Sequence, residues 1–127
     1  MAFTFVMRIQ KLKENREFRR AYNRGKVFVT PYAVVYITKN RTDGVRLGIT
    51  VGKKIGKAVK RNRAKRVITA AFSSVLPKIQ DGLDFVIVAR TRILKVKSTE
   101  LALIFEKTLD TAGALKNDNE KDTHISC

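Results

Sequence analysis

Between residues 64 and 76 apolar side chains return at intervals of three and four: Ala64, Val67, Ile68, Ala71, Phe72 and Val75. At about 100° per residue they share one arc, the buried face of a helix. Asn62, Arg66, Thr69 and Ser73 fall opposite, with Arg63 and Lys65 on the flanks, and Pro77 ends the periodicity. A shorter helix is predicted after Leu12, where Glu14 or Asn15 starts it, Phe18, Ala21 and Tyr22 form its stripe, and Gly25 stops it. Ser98 caps a last helix in which Leu101, Ile104, Phe105 and Leu109 recur, with Gly113 as the stop.

Other stretches alternate with period two. Residues 32–38 place Tyr32, Val34 and Tyr36 on one face of a strand and Ala33, Val35 and Ile37 on the other, so both faces are at least partly covered. Residues 40–44 turn the chain into residues 45–51, where Val45, Leu47, Ile49 and Val51 form a buried face. On the reverse side Gly48 and Thr50 stay low, a suitable floor for a groove beside Tyr36. Residues 83–90 are almost continuously apolar and read as a central strand covered on both faces. Residues 27–29 form a short edge strand, and residues 2–9 are either an extended segment or a poorly ordered end. The order strand, strand, long helix, strand, helix predicts an α/β (α+β) two-layer sandwich around a single sheet. One domain spans residues 1–115, followed by a disordered polar tail over residues 116–127.

Charge changes this picture from a fold to a function. The 127 residues carry 27 Lys and Arg against 11 acids, a net charge of +16, and the region 44–80 contains no acid. Lys53, Lys54, Lys57, Lys60, Arg61, Arg63, Lys65 and Arg66 crowd into fourteen residues immediately before and within the long helix. Eight uncompensated cations repel one another unless an anion uses them, so a polyanion is the expected partner, and nucleic acid fits better than a membrane surface. The basic helix lacks Trp and a large aromatic apolar face, and no apolar run approaches the ~18 residues of a spanning segment. The first seven residues lack the features of a secretory signal, and a cytoplasmic protein is expected.

Chemistry of the chain's own is not indicated. The acids Glu14, Glu17, Asp43, Asp81 and Asp84 are scattered, His124 is solitary, and Cys127 is the single cysteine. Neither a nucleophile with its base nor a metal motif emerges, and the Gly-x-x-x-x-Gly-Lys-Ser/Thr order of a phosphate loop is absent. No catalytic and no metal-binding residue is assigned. Phe18 and Tyr22, ringed by Arg16, Arg19, Arg20 and Arg24, serve either as core residues docking their helix or as stacking platforms for unpaired nucleotides.

The stretch Gly52-Lys53-Lys54-Ile55-Gly56-Lys57-Ala58-Val59-Lys60-Arg61-Asn62-Arg63-Ala64-Lys65-Arg66 closely resembles the signature of the bacterial ribonuclease P protein subunit family. Supporting order comes from the Phe18 and Tyr22 helix, the strand ending in Tyr36 and the apolar strand with Ala89-Arg90, so the likeness covers roughly residues 10 to 112. Gly52 stands where members commonly have Ser, a small-for-small change.

The resemblance implies a left-handed β-α-β crossover, against the general preference for the right hand. It also implies a ribonucleoprotein whose RNA performs Mg²⁺-dependent removal of the 5′ leader from precursor tRNA. Mg²⁺ is then bound mainly by RNA, the partners are the catalytic RNA and precursor tRNA, and neither DNA nor membrane is expected. Carried over position by position, Phe18, Tyr22 and Tyr36 match cleft-lining aromatics that hold the leader, and Lys53, Arg61, Asn62, Arg63, Lys65 and Arg66 match the basic motif that meets RNA. The alternative is a structural RNA-binding protein, such as a ribosomal protein or RNA chaperone, without a part in cleavage.

Overall fold

A computed structural model describes residues 9–12, 14–40 and 44–116. The expectations for residues 1–8, for the centre of the turn at 41–43 and for the tail over 117–127 lie outside the described residues. Five strands, β1 (Ile9–Lys11), β2 (Lys26–Val29), β3 (Ala33–Lys39), β4 (Val45–Thr50) and β5 (Leu83–Ala89), form one mixed sheet in the order β1-β4-β5-β3-β2. β4 is parallel to both β1 and β5, whereas β3 runs antiparallel to β5 and β2. Among the described residues three α-helices accompany the sheet: α1 (Asn15–Arg24), α2 (Ala58–Val75) and α3 (Ser98–Ala112).

The alternation read in residues 33–37 divides the sheet as expected. Ala33, Val35 and Ile37 join Val45, Leu47, Phe85 and Ile87 against α2 and α3 in the main core. From α2 come Ala64, Ile68, Ala71, Phe72 and Val75, and Phe72 meets Phe85 edge-on with centroids 5.1 Å apart. Each fully buried Phe or Ile of this set stabilises the fold by about 1.5 to 3 kcal/mol relative to exposure. On the opposite face Leu12, Ala21 and Val86 form a smaller cluster, with Phe18, Tyr36 and Val88 packed on it, so α1 covers only part of that side. β5 sits in the middle of the sheet with both faces covered, which explains its unbroken apolar run.

Three local features were not apparent in the sequence. Residues Ile9–Lys11 form a short parallel strand beside β4, with Ile9 pairing with Val45. Pro77 does not simply stop α2, because residues Leu76–Lys78 continue as a 3₁₀ turn, a geometry that tolerates a residue without an N–H at its start. The basic connection after β5 contains a second such turn, Thr91–Lys95, which plants Ile93 in the core.

Because α2 links two parallel neighbours, β4 and β5, it must run back along them, and its first turn lies at the end of the sheet where β4 finishes. That placement brings the basic block to the same end as Thr50.

Candidate nucleic-acid interface

The block is built as a cationic surface on a rigid support. After β4 the 3₁₀ turn Lys53–Ile55 buries Ile55 while leaving Lys53 and Lys54 exposed. Gly56 follows with φ of 138°, a backbone conformation that L side chains rarely adopt, and lets the chain swing into α2. Lys57 caps the helix without a side-chain hydrogen bond, and the first turn contains no acid. Its free amides and dipole therefore add positive potential to the lysines around them. Ala64 and Ile68 hold the inner face in the core, and Lys57, Lys60, Asn62, Arg63, Lys65 and Arg66 all lie exposed. Arg61 differs from these. It is half-buried, and its Nε is screened from solvent without a hydrogen-bond partner among the described residues.

The aromatic residues converge across the sheet from α2. Phe18 lies over Gly48, where an added Cβ would stand 2.6 Å from the ring carbons, so the low floor is what seats α1. Phe18 packs against the cluster of Leu12, Ala21 and Val86, and its ring also lines a groove with Asn15, Arg19, Tyr22 and Thr50. Tyr22 is 38% exposed and meets the half-buried Tyr36 edge-on, with centroids 4.9 Å apart and planes at 79°. The hydroxyls of Tyr22 and Thr50 are 3.3 Å apart and share a hydrogen bond. The pair therefore presents one fixed aromatic surface. Thr50 is three residues from Lys53, so the basic block begins at the edge of this groove, while Arg61, Arg63 and Arg66 stand on a helix that packs against the other face of the sheet.

What positions α1 is an ionic network that the sequence reading passed over. Asp84 on β5 is 2% exposed, a carboxylate inside a central strand. The Arg46 guanidinium, directly opposite on β4, donates to both of its oxygens at 2.7 Å, and Asn40 Nδ2 donates to Oδ1 at 2.7 Å. The remaining arm of Arg46 reaches Glu17 of α1 at 2.5 Å. Glu17 in turn accepts the Glu14 amide at 3.1 Å, closing the start of the helix. Hydrogen bonding to Asp84 holds Arg46 above the ordinary range of a guanidinium. A signal was present in the sequence: an acid in a strand buried on both faces requires a partner. The partner's identity depended on strand register, which spacing alone did not give.

The acids that converge here are thereby occupied by a cation, and among the described residues no group of three or more His, Cys, Asp or Glu is placed to hold a metal ion. No described helix is long and apolar enough to cross a membrane.

A family model described as Ribonuclease P matches residues 6–113. The chain belongs to the ribonuclease P protein family. Among curated relatives, the ribonuclease P protein component of Clostridioides difficile is 45% identical over 84 residues, covering 65% of this chain and 74% of the relative. That of Clostridium acetobutylicum is 34% identical over 119 residues, covering 92% of this chain and all of the relative. The solved Staphylococcus aureus RNase P protein superposes with a TM-score of 0.73 at 32% identity, covering 84% of this chain and 97% of that one. The protein from Thermotoga maritima gives 0.66 at 30% identity, covering 81% and 94%. As a ribonuclease P protein, the chain is the subunit of an RNA-based endoribonuclease and assists cleavage of the 5′ leader from precursor tRNA. Membership decides against the alternative of a structural RNA-binding protein without a role in cleavage.

Proposed function

We propose that the two surfaces divide the work of this subunit: the exposed face of α2 with Lys53 and Lys54 binds the catalytic RNA, and the Phe18, Tyr22 and Tyr36 groove holds the unpaired 5′ leader of precursor tRNA. The observation that carries the second assignment is the Tyr22–Tyr36 pair, in which exposed Tyr22 is seated edge-on against half-buried Tyr36, fixed by Thr50 and rimmed by Arg19. Unstacked bases gain from an aromatic face regardless of sequence, and cations beside it follow the phosphates. A duplex presents no free base faces, which suits the groove to a single strand. The basic face of α2 lacks aromatics and suits the backbone of folded RNA.

Mg²⁺ belongs, in this reading, on RNA and substrate phosphates. What supports this reading is that Glu17 and Asp84 both bind Arg46 and that no three acids, His or Cys converge among the described residues. The protein's positive field would instead favour assembly of the two polyanions and lower the Mg²⁺ concentration at which cleavage occurs.

The deciding experiment compares holoenzyme affinity for precursor and mature tRNA. Wild type should favour precursor. Tyr22→Leu and Tyr36→Leu, which retain most packing, should each reduce that preference by about 1 to 3 kcal/mol for every stacked base lost, with mature tRNA affected little. Equal weakening toward both RNAs in folded variants would make these tyrosines structural and place the leader elsewhere.

A further inference from the structure

The aromatic groove is not closed at its outer end. Arg19 lines it and also belongs to the outer face of α1, where Arg16, Arg20, Asn23 and Arg24 form a second groove. Arg20 and Arg24 are in turn shared with a third, on the far flank of α1, which Lys26, Thr38 and Lys39 line together with Gln80, Leu83 and the end of α3 at Ala112. Three adjoining depressions thus cross the helix from its β4 side to its β2–β3 side. The crossing follows from helix geometry: Phe18 and Tyr22 point one way, and Arg20 and Arg24, two residues displaced from each, point the other.

The cations along this route are exposed and largely unneutralised. Glu17 of α1 is engaged with Arg46, and Glu14, which caps the helix, pairs with Arg16 at one edge of the second groove. Arg19, Arg20, Arg24, Lys26 and Lys39 pair with no carboxylate among the described residues, and Arg20 donates only to the Lys39 carbonyl, at 3.4 Å.

We propose that this band is a track for the phosphates of the leader's distal nucleotides, continuing beyond the aromatic groove, over α1, to Lys26 and Lys39. The inference rests on the leader assignment made above. Its shape selects the occupant: the route bends over one helix about 10 to 12 Å across, which a duplex with a persistence length of about 50 nm cannot follow and a single strand can. The far groove contains no aromatic side chain, so this part of the track holds backbone and adds affinity without sequence preference.

The test uses reconstituted holoenzyme and precursor tRNAs whose leaders are either just long enough for the aromatic groove or about twice that length. Wild type should bind the long leader more tightly, and that gain should itself decline with salt. The variant Arg20→Gln/Arg24→Gln/Lys26→Gln/Lys39→Gln, altered only at exposed positions, should bind short-leader precursor and mature tRNA as wild type does while losing the gain. If three phosphates are held, each contributes a slope of about 0.7, and the long-leader advantage should shrink about 20-fold between 50 and 200 mM salt. Equal weakening toward all three RNAs would assign the band to the catalytic RNA or the tRNA body and overturn the proposal. A wild type that gains nothing from the longer leader would overturn it as well. Neither result bears on the aromatic groove, whose own failure would appear as an undiminished short-leader preference in Tyr22→Leu and Tyr36→Leu.

Discussion

Replacing Arg61, Arg63 and Arg66 together by alanine should weaken binding of the catalytic RNA on the order of tenfold or more at moderate salt and flatten its salt dependence. Each phosphate contact contributes a log–log slope of about 0.9 on a duplex and 0.7 on a single strand, so three lost contacts lower the slope by about 2 to 3. Folding should survive the change. Arg63 and Arg66 are exposed, Ala64 and Ile68 anchor the same turns from the inner face, and alanine is the best helix former available. Removing three like charges from a helix start without a single acid relieves repulsion as well. Arg61 adds a sharper test, because it is half-buried and its Nε is already screened from solvent. A lysine there retains the charge and loses the preset fork of donors. Arg61→Lys should therefore reduce affinity with little change in slope, whereas the triple variant changes both. Fluorescence-detected titration of the RNA at several salt concentrations, with circular dichroism to verify folding, separates the two. An unchanged slope in the folded triple variant would remove this face of α2 from the interface.

The basic block was legible in the sequence because charge and helical period act over the same short range: Ala64, Ile68 and Phe72 turn inward, and Arg63, Lys65 and Arg66 have nowhere to go but outward. The same holds for Ala33, Val35 and Ile37, whose alternation maps directly onto a sheet face. What stayed hidden depends on residues far apart in the chain. The parallel pairing of Ile9 with Val45 and the meeting of Arg46 with Asp84 are matters of register, which no local pattern encodes. Gly48 was visible as a low position on the floor, but the reason for it, the Phe18 ring resting where a Cβ would stand, required the helix and the strand to be seen together. The site's aromatic residues were thus readable as candidates, and the device that holds them in place was not.

That device supplies the largest expected effect on stability. Asp84→Ala should destabilise the fold by about 3 to 5 kcal/mol, the usual consequence of stranding one member of a buried ion pair. At this size the loss corresponds to a fall in Tm of roughly 10 to 20 °C. The reason is location. Asp84 is 2% exposed and the Arg46 side chain 19%, so without the carboxylate the guanidinium keeps only Glu17 as a counter-charge and cannot turn to water without leaving the sheet. Replacing both residues, as Arg46→Met with Asp84→Ala, should recover much of the loss, because an apolar substitute avoids the desolvation penalty that the pair itself carries. The double variant is informative for a second reason: it removes the tie from β4 to Glu17 while leaving Phe18, Tyr22 and Tyr36 untouched. If the network exists to hold α1 in register with the sheet, thermal unfolding of the double variant should approach wild type while its preference for precursor over mature tRNA declines. Glu17→Gln, which keeps a hydrogen-bonding group but loses the charge, should fall between the two. Should the double variant regain stability and keep its full preference for precursor, Arg46 would be a feature of folding alone, and packing of Phe18 over Gly48 would be sufficient to place the aromatic groove.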